Sequence, residues 1–321
     1  MLEIRDLHVQ FHGSDHEAVR GIDLTVGDGE IVGLVGESGS GKTVTAMMIS
    51  GLLRPEQAAF RGQILLDGRD LLTSSGDTLR SIQGRDICVV FQEPMSAMDP
   101  TMRIGPQVEE CLRVHTDLPP GKRRELALQA LRDVDLPEAE EVYRKYPHEL
   151  SGGMLQRTSI AMALMFHPRI LVMDEATTAL DVVTQGQILQ EIRKLEASIS
   201  VTRLMITHDL SVVATSCKKV IVLYAGRLME YGNVREILSH PAHPYTEGLI
   251  ASFPSLHGKK EELKSIPGFL PDLADPPKGC IFAPRCPYAQ ERCRQERPQA
   301  YQVGEGHVSA CFRCEGGVQH G

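Results

Sequence analysis

A run of glycines that ends in lysine and threonine lies near the start of this 321-residue chain. The pattern G-x-x-x-x-G-K-[ST] is matched by Gly36, Glu37, Ser38, Gly39, Ser40, Gly41, Lys42 and Thr43. Glycines let successive backbone amides point at phosphate oxygens, and a helix that follows adds the positive end of its dipole. Lys42 would bind the β- and γ-phosphates, and the Thr43 hydroxyl would bind Mg²⁺. The run therefore predicts a site for a magnesium–nucleotide complex.

Two carboxylates follow an apolar run much later in the chain. Residues 170–173, Ile-Leu-Val-Met, predict a buried strand that ends in Asp174 and Glu175, and α/β sheets bind ligands at such strand ends. Asp174 would complete the coordination of Mg²⁺. Glu175 would polarise a water molecule as a general base. Together with the glycine-rich run, these residues predict hydrolysis at a nucleotide phosphate.

The elements that must position these residues alternate between strand and helix. Apolar runs or alternation predict strands at 2–11, 30–36, 63–68, 86–92, 169–175, 202–208, 218–223 and 227–231. Helical spacing predicts helices at 42–52, 182–198 and 209–215. Residues 103–145 combine helical spacing with prolines, which predicts a helical insertion that continues through a helix at 151–166. The alternation indicates a mostly parallel α/β core.

Composition and charge exclude several classes of protein. The chain is 42% hydrophobic and 24% charged, which is typical of a globular protein. Its net charge of −8 offers no general footprint for nucleic acid. No apolar run approaches the roughly 18–20 residues that span a bilayer, and the alternating, acid-containing N-terminus is unlike a signal peptide. We therefore expect a cytosolic chain, or one that reaches a membrane only through a partner, with no nucleic acid bound.

The cysteines predict a second site. Five of the eight lie in the last 42 residues, at positions Cys280, Cys286, Cys293, Cys311 and Cys314. In a cytosolic protein, such a cluster favours metal binding over disulfide bonds. The first four thiolates suit Zn²⁺ or an iron–sulfur cluster, and their spacing identifies neither. Unliganded thiols are the third alternative, and His307 and Cys314 are further candidate ligands.

The chain changes character near residue 240. Ten of its 19 prolines lie between Pro241 and Pro298, in the part that also holds the cysteine cluster. We expect one domain over 1–240 and a small Pro- and Cys-rich region over 241–321, where a metal would compensate for a small apolar core. Because the phosphate loop would then lie in a separate domain, loss of a cysteine should leave nucleotide binding intact.

A third motif lies between the glycine-rich run and the carboxylates, and its sequence is Leu150-Ser151-Gly152-Gly153-Met154-Leu155-Gln156-Arg157. With it the chain resembles the ATP-binding-cassette (ABC) family, whose signature is LSGGQ or LSGGM followed by Q-R. The motifs also have the family's order, since Gln92 follows a strand, Ala179-Leu180-Asp181 resembles the D-loop and His208 follows a later strand. The resemblance covers roughly 1–240. It implies an α/β P-loop NTPase fold, an ABC nucleotide-binding domain with a helical subdomain at about 103–166.

Other runs resemble one subfamily, the oligopeptide/dipeptide/nickel importer ATPases. In the cassette these are Phe91-Gln92-Glu93-Pro94-Met95, Val35 to Thr43 and Tyr146 to Met154. In the tail they are His243-Pro244-Tyr245-Thr246, Pro267-Gly268, Gly279-Cys280-Ile281-Phe282 and Arg285-Cys286-Pro287. Thr43 stands where many members carry serine, and the hydroxyl is kept.

The resemblance assigns roles around ATP and Mg²⁺. Two subunits would close on each other, so that Ser151, Gly152, Gly153 and Gln156 of one signature face the γ-phosphate held by the other subunit. Gln92 would contact Mg²⁺ and the attacking water, and His208 would contact the γ-phosphate. Phe11 resembles the aromatic residue that stacks on adenine, with His12 as the competing candidate.

The resemblance also implies a function and partners. It implies an ATP-hydrolysing subunit of a bacterial importer for peptides or a related solute such as nickel, at the cytoplasmic face of the membrane as a peripheral subunit. The partners would be a second ABC ATPase subunit, identical or paralogous, two transmembrane permease subunits and, indirectly, an extracytoplasmic solute-binding protein. A [4Fe–4S] cluster on Cys280, Cys286, Cys293 and Cys311 is favoured over Zn²⁺.

Two other functions remain as alternatives. A soluble ABC ATPase outside transport usually carries two cassettes or a long coiled-coil insertion, whereas this chain carries one cassette. A regulatory module that binds ATP without turnover would not need Glu175 and His208.

Overall fold

The computed structural model describes residues 1–175, Gly186, 201–252 and 265–316. Twelve strands are present in these residues: β1 (Leu2–Phe11), β2 (Val19–Val26), β3 (Ile31–Val35), β4 (Ala58–Leu66), β5 (Arg69–Asp70), β6 (Ile87–Val90), β7 (Ile170–Asp174), β8 (Thr202–Ile206), β9 (Lys219–Tyr224), β10 (Arg227–Asn233), β11 (Tyr301–Gly304) and β12 (His307–Ser309). The helix predicted at 182–198 and the D-loop-like residues 179–181 lie outside the part that the structure describes.

Ten α-helices are present in the same residues: α1 (Lys42–Ile49), α2 (Gly76–Ile82), α3 (Ile104–His115), α4 (Pro120–Asp133), α5 (Ala139–Arg144), α6 (Gly152–Leu164), α7 (Leu210–Ser216), α8 (Val234–Ser239), α9 (Pro244–Ala251) and α10 (Glu291–Gln295). The chain divides into two compact units. The first unit combines Met1–Leu72 with Met205–Gly321, and the second is Thr73–Leu204.

One sheet of the first unit is antiparallel, with strand order β2-β1-β4-β5. Along β1, Leu2 and Ile4 are buried before an irregularity in the pairing with β2, and Leu7 and Val9 are buried after it. Strand β2 was not predicted, although Ile22, Leu24 and Val26 alternate with polar residues, which is the usual signal for a half-buried strand.

The other strands of the first unit form the order β11-β12-β10-β9-β3. Only β3 and β9 pair in parallel among these five, while β9–β10, β10–β12 and β11–β12 are antiparallel. The turn between β9 and β10 has positive φ at both Ala225 and Gly226, which is the geometry of a tight hairpin. The prediction of a mostly parallel core is therefore wrong for this unit, because the β9–β10 hairpin reverses the chain.

Residues beyond 240 share a core with the residues before them. Phe282 is buried against Tyr224 and Tyr245, with ring centroids 5.3 and 5.4 Å away. Strand β12 adds to β10 through the pairs Glu230–Ser309 and Tyr231–Val308. The domain boundary near residue 240 stays a prediction, but packing in this unit continues across it.

In the second unit, β6 and β7 pair in parallel in the register Ile87–Ile170 to Val90–Met173. Helices α3, α4, α5 and α6 occupy most of the predicted helical insertion and pack against one another. Across both units, none of the described helices combines the length and apolar character needed to cross a membrane.

A buried histidine joins α9 to the sheet of the first unit. This residue is His243, and its ring accepts a hydrogen bond at Nδ1 from the Tyr245 N–H at 3.0 Å and so caps α9. The backbone N–H of His243 donates to the Glu230 carboxylate at 3.1 Å. Burial lowers the pKa of His243 from 6.5 to about 4, although the nearby Glu230 carboxylate acts in the opposite direction.

This pKa predicts a loss of stability in acid. The unfolded chain takes up the His243 proton at higher pH than the folded chain, so stability present above about pH 6.5 is lost as the pH falls towards 4, by roughly 3 kcal/mol. His243→Asn keeps an acceptor for the helix cap without this proton. The variant should have a lower free energy of unfolding than wild type at neutral pH, and we expect this difference to become smaller as the pH falls from about 6.5 towards 4. Urea unfolding of both proteins at several pH values measures it. If the free energies of unfolding of the two proteins changed in parallel with pH, the lowered pKa of His243 would be contradicted.

Candidate functional site

The glycine-rich run forms a tight loop between β3 and α1 in the first unit. Gly36, Gly39 and Gly41 have φ of 150°, 76° and 93°, a region that side chains disfavour. A Cβ on Gly36 would collide with the carbonyl oxygen of Leu223, and one on Gly41 would lie 2.7 Å from the carbonyl oxygen of Ala18. Glycine is therefore required at both positions by backbone conformation and by close packing.

Lys42 lies at the centre of this loop. Its buried ammonium donates to the carbonyl oxygens of Gly36 at 2.8 Å and Glu37 at 2.9 Å, and lies 3.4 Å from Ser40 Oγ. No side chain caps the first turn of α1, so the helix presents its amino end to an anion. Thr43 is exposed in that first turn. The loop thus has the curled shape and charge that a phosphate group needs.

His208 belongs to the same unit and lies two residues after the end of β8. The N–H of the preceding residue, Thr207, donates to the carbonyl oxygen of Leu34 at 3.3 Å. This bond places His208 beside the end of β3, where the phosphate loop begins, and its side chain is exposed. The structure therefore brings together two parts of the predicted site, the loop and His208.

The second unit brings together the other predicted groups. Because Val90 pairs with Met173 in parallel register, Gln92, which follows β6, lies at the same edge of the sheet as Asp174, the last residue of β7, and Glu175, which follows it. Gln92 is exposed, and both carboxylates are half-buried. Glu175 has a φ of 47°, an uncommon conformation for a residue with a side chain.

The signature residues differ in exposure. Ser151 caps α6 by accepting a hydrogen bond at Oγ from the Met154 N–H at 3.3 Å. Ser151 and Gly152 are exposed and Gly153 is half-buried, so the amino end of this 13-residue helix is open to a ligand. Gln156, in contrast, is only 2% exposed. Its burial is inconsistent with the predicted contact to a partner subunit.

The candidates for adenine stacking lie at the end of β1. Phe11 pairs with Ala58 of β4 and is half-buried. His12 Nε2 lies 2.7 Å from the carbonyl oxygen of Pro55, and the His12 backbone N–H donates to Gln57 at 2.9 Å. The His12 ring is therefore engaged with its own loop, while the role of Phe11 stays a prediction.

The four cysteines named as metal ligands line one cavity of about 60 Å³. Within residues that the structure describes, however, no three His, Cys, Asp or Glu side chains are arranged to hold a metal ion. Burial raises the pKa of Cys280 and of Cys286. A hydrogen bond to Cys314 raises the pKa of Cys311, and burial adds to this effect. The thiols would therefore release protons on binding a metal.

The two further candidate ligands have other partners. His307 Nε2 lies 2.7 Å from the buried Glu230 carboxylate, and the Cys314 thiol donates to the carbonyl oxygen of Ala242 at 3.6 Å. Neither lines the cavity formed by the four cysteines.

Two residues that contact the phosphate loop were missed by sequence reasoning. The Arg285 guanidinium donates to the Glu37 carboxylate at 2.8 Å, and the Tyr245 hydroxyl accepts from the Glu37 N–H at 2.9 Å. Both lie in tail runs that carry the subfamily resemblance. The tail therefore contacts the phosphate loop, because both residues lie beyond position 240. That loss of a cysteine leaves nucleotide binding intact stays a prediction.

Comparisons with known proteins agree with these motifs. A family model described as ABC transporter matches residues 19–178, and one described as the C-terminal region of oligopeptide/dipeptide transporters matches 229–293. A probable peptide ABC transporter ATP-binding protein of Sinorhizobium fredii is 42% identical over 318 residues, covering 98% of this chain and 95% of that protein. The oligopeptide transport ATP-binding protein OppD of Escherichia coli is 42% identical over 315 residues, covering 98% and 93%.

This chain belongs to the ATP-binding subunits of ABC transporters. Its C-terminal match places it in the oligopeptide/dipeptide subfamily. The ATP-binding cassette MJ0796, solved as a dimer bound to ADP and phosphate, aligns with this ABC subunit at a TM-score of 0.65 and 28% identity, over 73% of this chain and 99% of that one. The ABC subunit is an ATPase, and its fold is the α/β P-loop cassette that the resemblance predicted.

Replacing Lys42 by Ala should weaken ATP binding by at least about tenfold, because a hydrogen bond to a charged group contributes about 1.5–3 kcal/mol and 1.4 kcal/mol is tenfold. The dissociation constant, measured with a fluorescent ATP analogue, checks this. Lys122→Ala, an exposed lysine of α4, is the matched control and should bind as wild type does. Equal affinity of Lys42→Ala and Lys122→Ala would remove Lys42 from the site.

Proposed function

We propose that this ABC subunit hydrolyses ATP to drive the import of peptides or a related solute. The observation that carries the proposal is the match of residues 229–293 to the C-terminal region of oligopeptide/dipeptide transporters. It is supported by relatives named for peptide transport that match over 98% of the chain. These features favour transport over a soluble ABC ATPase or a regulatory module without turnover.

The proposed partners are a second ABC ATPase subunit, identical or paralogous, and two transmembrane permease subunits. An extracytoplasmic solute-binding protein would act through the permeases, and no nucleic acid takes part. The ABC subunit would be a peripheral protein on the cytoplasmic face of the membrane. Within the pair, Ser151, Gly152 and Gly153 of one subunit would face the γ-phosphate in the other, since they lie at an exposed helix terminus. The burial of Gln156 argues against including it in this contact.

Each predicted residue has a distinct task at the phosphates. Lys42 and the amides of the loop would hold the β- and γ-phosphates, with Phe11 on the adenine. Thr43, Gln92 and Asp174 supply the oxygen ligands that Mg²⁺ prefers, and Mg²⁺ would neutralise phosphate charge. Glu175 would accept the proton of the attacking water. His208 would donate a hydrogen bond to the γ-phosphate as negative charge is redistributed.

Glu175→Gln should stop turnover and leave ATP binding unchanged. Glutamine keeps the shape but is a poor proton acceptor, and loss of a positioned base lowers the rate by about 10²–10⁴-fold. Phosphate release by the complex with its permeases measures turnover, and Glu110→Gln, on an exposed side chain of α3, is the control. Turnover near the wild-type rate would exclude Glu175 as the base.

The same variants test transport in cells that lack the chromosomal copy. Cells with the wild-type subunit should accumulate a labelled tripeptide, and cells with Glu175→Gln should not. If wild-type cells accumulate no peptide while the purified complex hydrolyses ATP, the solute is wrong and the ATPase assignment stands.

For the tail, we propose a [4Fe–4S] cluster on Cys280, Cys286, Cys293 and Cys311, with Zn²⁺ as the alternative. A single Zn²⁺ binds sulfur at about 2.3 Å, which puts four sulfurs about 3.8 Å apart. A cluster holds its thiolates further apart because iron and sulfide lie between them. The observation that supports a shared site is that the four thiols line one cavity, although in the described part of the chain no three ligand side chains are arranged to hold a metal ion. When bound, the cluster would cross-link four separate parts of the tail.

Protein purified without oxygen should therefore contain about four irons and four sulfides per chain. Cys286→Ser should lose this iron, whereas Cys111→Ser, outside the cavity, should keep it. Iron, sulfide and zinc analysis of the three proteins is the measurement. One zinc and no iron would replace the cluster by a zinc site, and a metal-free wild type would exclude both.

A further inference from the structure

Glu37, the second residue of the phosphate loop, is held from outside the loop at two points. Its carboxylate accepts a hydrogen bond from Arg285 Nη1 at 2.8 Å, and its backbone N–H donates to the Tyr245 hydroxyl at 2.9 Å. Its carbonyl oxygen accepts from the Lys42 ammonium at 2.9 Å. Glu37 therefore connects the phosphate-binding lysine to two residues that lie 208 and 248 positions along the chain.

The Arg285 side chain is fixed by its surroundings and is only 6% exposed. Besides the Glu37 contact, Nε donates to the Pro267 carbonyl at 2.9 Å and Nη2 donates to the Ile266 carbonyl at 3.2 Å. Nη1 also lies 3.2 Å from the Tyr224 hydroxyl. A planar guanidinium with partners on all of its nitrogens has little freedom to rotate. Its interaction with Glu37 is therefore unlike an exposed ion pair, which contributes little.

The Tyr245 hydroxyl is positioned by an aromatic cluster made of Tyr224, Tyr245 and Phe282. The two tyrosine rings are 4.7 Å apart, and all three side chains are buried. Cys280 and Cys286 pack against the same core. The cysteine-lined cavity and the phosphate loop are therefore in contact with one continuous, close-packed cluster, and such packing transmits displacements.

We propose that Arg285 and Tyr245 are positioning residues of the ATP site. They hold Glu37, and through it the phosphate loop, in the curled conformation that receives the phosphates. A loop ordered before ATP arrives binds it more tightly, because less conformational entropy is lost on binding. Neither residue is assigned to the reacting atoms, so the effect falls on affinity for ATP and not on the chemical step.

The proposal rests on the ATP site, which is inferred from membership in the ABC transporter family. It does not depend on which solute is transported or on whether the cysteine-lined cavity holds a metal. It gives the tail runs around Tyr245 and Arg285 a task beyond packing. Because coupling between sites is reciprocal, it also requires that ATP binding stabilise the part of the tail that contacts Glu37.

The test uses the full chain in complex with its permease subunits. Arg285→Gln should raise both the dissociation constant and the KM for ATP about tenfold, within the 5–150-fold range typical of coupled sites, with kcat within about twofold of wild type. Arg285→Lys keeps the charge but loses the planar fork, and should restore part of the affinity. The control is Arg294→Gln, an exposed tail arginine beside Cys293, which should change neither constant.

Two further variants separate positioning from general loss of structure. Tyr245→Phe keeps the ring packing and removes only the hydroxyl, so it should fold even if Arg285→Gln does not, and it should also raise KM at constant kcat. Adding Glu37→Gln to Arg285→Gln should have little further effect, because both remove one interaction. Wild-type ATP affinity in both single variants, a fall in kcat without a change in KM, or additive effects in the double variant would each overturn the proposal.

Discussion

The nucleotide site depends on the curled backbone of the phosphate loop, residues 36–43. The loop must direct its amide N–H groups at the phosphates and also surround the Lys42 ammonium. Gly36, Gly39 and Gly41 have positive φ angles, which side chains disfavour, and so make this curl sterically possible. Lys42 fills it by binding the loop's own carbonyl oxygens at 2.8 and 2.9 Å. A loop rich in glycine loses much conformational entropy when it is ordered, so contacts from outside must contribute to holding it. The contacts to Glu37 from Arg285 and Tyr245 are of this kind.

The groups proposed for catalysis depend on strand ends in the same way. In the second unit, the parallel register of β6 and β7 is enough to bring Gln92 to the edge that carries Asp174 and Glu175. In the first unit, the bond from Thr207 to Leu34 carries His208 to the start of the phosphate loop. Each placement follows from backbone hydrogen bonding and requires no side-chain network of its own.

These local placements explain what the sequence could predict. A phosphate loop, an acidic strand end and a capped signature helix are each encoded within about ten residues, so the patterns at 36–43 and 170–175 were sufficient. The β9–β10 hairpin was missed as an antiparallel element because its two-residue turn, Ala225-Gly226, carries a weak signal. The contacts of Arg285 and Tyr245 join residues that are over 200 positions apart. No periodicity or motif in one sequence specifies such a pair, since only the tertiary fold brings it together.

The tail shows why a boundary drawn from composition does not separate functions. The proline-rich tail packs Ile281 and Phe282 into the core that contains Tyr224, and this burial of apolar surface stabilises the tail. That core lies next to the phosphate loop. Tyr224 directly follows Leu223, and the carbonyl oxygen of Leu223 is so close to Gly36 that it leaves no room for a Cβ there. Contact between tail and ATP site is therefore a consequence of how the tail is stabilised.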